Sequence, residues 1–155
     1  MEKKEFQKNE KFAILYLGGE ISHDLLPDKK VEAVIYNGYA ISLKEDRKWH
    51  TPAEAKEIVK TVKIDGKPCH LGIKEFWLSI HPVFEELCQF IVSLGGDRIG
   101  RGAVWTDTVW MNNPDELVFV YPDSAENGHL NRETNFIRPV RRMNSLSWNF
   151  KGFEF

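Results

Sequence analysis

The chain has 155 residues, with 21 Lys and Arg against 23 Asp and Glu, so its formal net charge is −2. This length fits one domain of ordinary size, and 10 Phe, 5 Trp and 4 Tyr supply ample material for a core. The near-neutral charge excludes a strongly cationic nucleic-acid-binding protein and a highly acidic solvating tail. We therefore expect a polar leader at residues 1–10, a single folded domain over residues 11–155, and no nucleic-acid partner.

The N-terminal segment does not have the pattern of a secretory signal peptide, because no apolar stretch follows its lysines. The longest apolar run near this end, residues 12–17, has six residues. A membrane-spanning helix needs about 20. We expect no membrane insertion, and a cytoplasmic protein as the sequence stands, or a secreted or surface protein if a signal peptide has been removed.

The first third of the chain predicts strands. Residues 11–17 predict a first strand, and residues 31–36 and 39–44 predict a hairpin around the two-residue turn Asn37-Gly38. Asn-Gly tolerates positive φ at both central positions, as a type I′ turn requires. The expected register pairs Tyr36 with Tyr39, Val34 with Ile41 and Ile35 with Ala40.

Two helices follow. Residues 51–62 begin with a Thr-x-x-Glu capping box made of Thr51 and Glu54, and residues 81–94 have Pro82 near their start. Apolar residues recur at helical spacing in both segments. These are Ala55, Ile58, Val59 and Val62 in the first, and Phe84, Leu87, Cys88, Ile91 and Leu94 in the second.

The last third returns to strands, predicted at residues 103–109, 116–121 and 136–143. Turn-forming residues at 111–115 and a polar loop at 122–133 join them. Strands, then helices, then strands predict an α+β class with two helices packed on antiparallel sheets and hairpins, and not an alternating βαβ order.

Residues with catalytic or metal-binding chemistry are scattered. Cys69 and Cys88 allow one disulfide arithmetically, but we expect Cys88 to be a buried thiol on a helix face. The five histidines form no His-x-x-x-His pair. The Asn113-Pro114-Asp115 stretch offers too few oxygens for calcium and is typical of a turn. We predict no metal, no cofactor and no catalytic residue.

Arginines cluster near the last predicted strand, at positions 132, 138, 141 and 142. A nucleic-acid site would need them on one face with interleaved aromatics, whereas a strand turns Arg141 away from Arg138 and Arg142. We expect them to form structural ion pairs with the acidic helices.

Four segments occur in an order that resembles a known family. They are Trp49 with Ala53-Glu54-Ala55; the run from Trp77 to Leu87; Val104-Trp105-Thr106-Asp107-Thr108; and Ile137-Arg138-Pro139-Val140-Arg141. The chain resembles the bacterial C-type-lectin-like domains of the Legionella collagen-like-protein C-terminal type, common in Bacteroidetes and related to the variable proteins of diversity-generating retroelements. It departs from the family pattern where the Trp77 segment lacks Arg-Leu-Pro-Thr and where Val precedes Trp105.

The resemblance implies a C-type-lectin-like fold whose late strands and loops contact the ligand. Carried onto this chain, that region is residues 107–135. The contact candidates are Asp107, Trp110, Met111, Asn112, Asn113, Tyr121, His129 and Asn131. Aromatic residues on loops of a rigid scaffold are typical contact anchors, whereas we expect Trp105 to belong to the core.

The sequence thus favours a non-catalytic module that binds a protein or glycan. Two alternatives stay open: an enzyme of unknown chemistry on the same fold, and a structural or oligomerising subunit. An enzyme would show a deep pocket lined by a histidine or carboxylate of perturbed pKa.

Overall fold

The computed structural model describes residues 6–100, 102–128 and 135–143, except for the side chains of residues 47, 49, 113–116 and 135. Its strands are β1 (Ala13–Tyr16), β2 (Ile21–Ser22), β3 (Val31–Tyr36), β4 (Tyr39–Ser42), β5 (Asp46–His50), β6 (Lys63–Ile64), β7 (Lys67–Pro68), β8 (Val104–Trp110), β9 (Asn113–Tyr121), β10 (Glu126–Gly128), β11 (Asn135–Ile137) and β12 (Val140–Arg142). Its helices are α1 (Pro52–Val59), α2 (Lys74–Ser79), a 3₁₀ turn (His81–Val83) and α3 (Phe84–Ser93). The α+β class is confirmed.

The first sheet has the order β12-β4-β3-β1-β2 and is antiparallel throughout. The predicted hairpin forms its centre, with positive φ at Asn37 (47°) and Gly38 (81°). The predicted register is confirmed at Tyr36↔Tyr39, Val34↔Ile41 and Ile35↔Ala40. Local turn chemistry was sufficient to set this pairing.

The second sheet has the order β10-β9-β8-β11-β5. Its one parallel pair among the described strands joins β8 and β11, at Val104↔Phe136. The single strand predicted over residues 136–143 is therefore wrong: β11 belongs to this sheet and β12 to the first. The break falls at Arg138-Pro139, where proline has no N–H to donate to a ladder. The loop predicted over residues 122–133 also contains β10.

Helix α1 begins as predicted. Thr51 Oγ1 accepts a hydrogen bond from Glu54 N (3.4 Å), and Glu54 Oε1 accepts one from Thr51 N (2.9 Å), which completes the capping box. The helix ends at Val59, three residues earlier than predicted. The second predicted helix begins as the 3₁₀ turn and becomes α-helical only at Phe84. Helix α2 was not predicted.

The core lies on both faces of the first sheet. Alternate residues of β1 belong to different clusters: Ile14 packs with α2 and α3, and Leu15 packs with α1. All four residues of β1 are therefore fully buried. Phe6, from the segment before β1, packs edge-on against Phe90 with ring centroids 5.5 Å apart. No helix in the described part of the chain is long and apolar enough to cross a membrane.

Candidate functional site

Among the described residues of the predicted binding region, the most exposed apolar side chains lie on the β8–β9 hairpin. Its turn residues, Met111 and Asn112, have φ of 48° and 62°, and Trp110 pairs with Asn113 across the turn. Met111 is 79% exposed, Val109 41% and Trp110 38%. A short run of large apolar residues thus faces solvent at one end of the second sheet. We call residues 109–112 the hairpin tip.

The strand before the hairpin tip leaves its regular register. Trp105 pairs with Phe119 and Val109 pairs with Leu117, so residues 106–108 of β8 face a single residue of β9. Thr106, fully buried, donates from Oγ1 to the carbonyl of Val118 (2.7 Å). The extra residues form a bulge, which is a common way to redirect side chains at the edge of a site.

This bulge is hydrogen-bonded to the segment before α2 and to the first residue of that helix. Asp107 N donates to the Gly72 carbonyl (2.7 Å), and Asp107 Oδ2 accepts hydrogen bonds from Leu71 N (3.1 Å) and Gly72 N (2.9 Å). Thr108 Oγ1 accepts one from Lys74 N (2.9 Å). These four bonds place the start of α2 beside the hairpin tip.

Gly72 lies in the most constrained part of this contact. Its φ is +81°, and a Cβ atom would lie 2.9 Å from Val140 Cγ2 and 3.1 Å from Trp77 Nε1. Trp77, fully buried, donates from Nε1 to the Leu71 carbonyl (2.7 Å). The adjacent Ile73 is 39% exposed. Residues 71–74 were not predicted from sequence to belong to the site, and Gly72 was their one visible signal.

His70 completes the contact from the other side. Its Nε2 accepts a hydrogen bond from Arg142 N (3.2 Å), and its Nδ1 lies 3.5 Å from Asp107 Oδ2. A neutral His70 therefore carries its proton on Nδ1, towards the carboxylate. Asp107 thus faces three groups of its own chain, and its main visible role is to position the bulge.

The structure brings together some of the eight predicted contact residues. Asp107, Trp110, Met111 and Asn112 lie at one end of the hairpin. Tyr121 lies at the other end, next to the Val104↔Val120 pair and roughly 20 Å away along β8, and its ring packs edge-on against Phe119. Asn113 begins β9, but its side chain is not among those that the structure describes. His129 and Asn131 lie outside the described residues.

Trp105 belongs to the core, as predicted. It is fully buried and donates from Nε1 to the carbonyl of His50 (2.6 Å). This bond connects β8 to β5.

Arg138 is also structural. Its side chain and that of Glu45 are fully buried, with Nη1 and Oε1 3.7 Å apart. The guanidinium donates to the carbonyls of Ser42, Leu43 and Asp97. The predicted pairing with the acidic helices is wrong for Arg138, because its partner Glu45 lies in the loop before β5. Arg132 lies outside the described residues. Arg141 pairs with Asp65 (3.7 Å).

The described cysteines and acidic groups do not form a metal centre. Cys69 and Cys88 are both buried free thiols, and burial raises the pKa of Cys69 to about 12. Within residues 6–100, 102–128 and 135–143, no group of three or more His, Cys, Asp or Glu is placed to hold a metal ion.

Comparison with protein-family models, with curated proteins and with solved structures finds no match to this chain.

Proposed function

We propose that the chain is a non-catalytic binding module of the C-type-lectin-like class, and that it recognises a protein partner with the hairpin tip and Ile73. The observation that carries the proposal is the exposure of Val109, Trp110 and Met111 at the hairpin tip, and of Ile73 next to Lys74, whose N–H donates to Thr108 Oγ1. Trp and Met are enriched in protein–protein interfaces, and Met adapts its shape to varied partners.

Support for the surface comes from its anchoring. The hydrogen bonds of Asp107 and Thr108 fix the bulge to the segment before α2. The side chains of the hairpin tip therefore extend from a constrained backbone. A surface that is ordered before binding loses less conformational entropy when the partner arrives.

A small cavity beside Ile73 adds to the surface. It has a volume of 230 Å³ and lies between the β3–β4 turn, the start of α2 and Arg142. Tyr39 and Phe76 line it, with ring centroids 4.2 Å apart. A side chain of the partner would fit here, which favours a protein ligand over a flat sugar-binding face.

The family resemblance supports the same location, since residues 107–135 are the stretch that it implies for ligand contact. The hairpin tip lies inside that stretch.

The test is affinity capture from host-cell and bacterial lysates, read by quantitative mass spectrometry, with Met111→Asn as the principal variant. Asparagine tolerates the positive φ at this position better than methionine, so the variant removes the apolar side chain without strain. Leu25→Asn is the matched control, because Leu25 is 45% exposed but lies between β2 and β3.

We expect the wild type and Leu25→Asn to enrich the same proteins, and Met111→Asn to lose them. Equal capture by all three would contradict the proposed surface. Capture of glycans alone, on a glycan array, would move the proposal to the lectin alternative. Loss of a stable dimer in Met111→Asn would indicate an oligomerising subunit.

A further inference from the structure

A larger groove lies away from the hairpin tip, between the start of β3 and the end of α1. It has a volume of 660 Å³, within the range of small-molecule sites. We call it the β3–α1 groove. Its apolar lining includes Leu17, Val31, Ile58, Val62 and Ile137. Leu17 is 58% exposed at the mouth, so a hydrophobic wall is open to solvent.

The carboxylates that line the β3–α1 groove are already engaged. Glu32 Oε1 accepts a hydrogen bond from Asp65 N (2.5 Å), and Glu45 is buried against Arg138. Asp46 accepts one from Lys48 N (2.9 Å) through Oδ1, and its Oδ2 lies 2.9 Å from His50 Nε2. Each of these three carboxylates therefore has at least one partner within the protein.

The lysines at the mouth of the groove have fewer partners within the described part of the protein than the carboxylates. Lys44 is 3.8 Å from Asp97, whereas Lys30 and Lys63 have no ion-pair partner among the described residues. Both are exposed. Lys30 and Lys63 therefore offer ammonium donors to a ligand, and such donors require an acceptor and favour a negative charge.

From this combination we propose that the β3–α1 groove binds an amphipathic anion: a small molecule with an apolar chain or ring that carries a carboxylate. The apolar part lies against Ile58, Val62 and Leu17, and the carboxylate meets Lys30 and Lys63 at the mouth. The groove shares no lining residue with the hairpin tip, so this site is independent of the proposed protein-binding surface.

The test uses decanoate as the probe and the full chain, with binding measured by calorimetry and by displacement of the fluorescent anion 1-anilinonaphthalene-8-sulfonate. Decyltrimethylammonium, with the same chain and the opposite charge, is the ligand control. The variants are Lys30→Gln/Lys63→Gln at the mouth and Leu17→Glu on the wall. Lys67→Gln is the matched protein control, because Lys67 is an exposed lysine that does not line the groove.

We expect saturable 1:1 binding of decanoate, about tenfold weaker in Lys30→Gln/Lys63→Gln and in Leu17→Glu, and unchanged in Lys67→Gln. Because all of the substituted side chains are exposed, the variants keep the fold, and circular dichroism checks this. Absence of saturable decanoate binding to the wild type would overturn the proposal. Equal affinity for decyltrimethylammonium, or equal weakening by Lys67→Gln, would overturn it as well.

Discussion

Replacing Asp107 by alanine tests whether this candidate contact residue holds the bulge of β8 in place. The carboxylate accepts two backbone N–H groups, from Leu71, which is fully buried, and from Gly72, which is also buried. Alanine leaves both donors without this acceptor. A hydrogen bond to a charged group contributes about 1.5–3 kcal/mol.

The lower end of that range applies here, because the Asp107 side chain is 38% exposed and water screens its charge. Two bonds then give a loss of about 3 kcal/mol in the free energy of unfolding. With a urea dependence of about 2 kcal/mol per molar, the unfolding midpoint falls by about 1.5 M. Asp107→Asn keeps an acceptor oxygen and loses only the charge, so its midpoint falls by about 0.5 M.

Urea unfolding followed by tryptophan fluorescence measures these shifts. Asp28→Ala is the control, because Asp28 is an exposed aspartate in the loop before β3 and its change stays within about 0.5 kcal/mol. The reasoning is refuted if Asp107→Ala unfolds together with Asp28→Ala, or if Asn and Ala at position 107 give the same midpoint. Asp107→Asn remains folded, so it can also be tested for partner capture. Retained capture would indicate that Asp107 positions the bulge, and lost capture would indicate that it contacts the partner.

Two further predictions concern stability alone. Thr51→Ala removes the side-chain half of the capping box of α1 and lowers the free energy of unfolding by about 1 kcal/mol, whereas Thr51→Ser retains it; equal midpoints for the two variants would show that the cap contributes nothing. Burial raises the pKa of Cys69 from 9.0 to about 12, so above pH 9 the unfolded chain releases a proton that the folded chain keeps. Stability therefore falls as pH rises from 9 towards 12, by at most about 1.4 kcal/mol per pH unit for this thiol. Urea midpoints at about pH 8 and pH 10 should differ less in Cys69→Ala than in the wild type, and an unchanged difference would contradict the assignment.

Structure that depends on a few neighbouring residues was predictable. The Asn37-Gly38 turn specified the β3–β4 hairpin and its register, and Thr51 with Glu54 specified the start of α1. In both cases the residues that decide the local structure, the turn pair and the capping pair, lie within four positions of one another. The burial of Cys88 also followed from its place on the apolar stripe of a predicted helix, and Trp105 is buried as expected.

The candidate site was predictable only in part. A family resemblance indicated residues 107–135, and the hairpin tip lies there. The division of roles within that stretch was not visible, because Asp107 is bonded to residues about 35 positions away. The separation of Tyr121 from the tip depends on strand pairing, which places the two ends of a hairpin far apart.

What the sequence determined by itself is the α+β class and the elements with strong local signals, chiefly the β3–β4 hairpin, α1 and α3, since turn residues, caps and apolar periodicity act over a few positions. Only the tertiary structure decided the short helix α2 and the split between β11 and β12. Helix α2 has six residues and no side-chain cap. Its first N–H, that of Lys74, donates to Thr108 Oγ1 of strand β8. Pro139 interrupts the ladder between β11 and β12, and the buried contacts of Arg138 with the Ser42 carbonyl and Glu45 hold the chain where it passes from one sheet to the other. Both features depend on partners that are distant in sequence, and such partners come together only once the chain has folded.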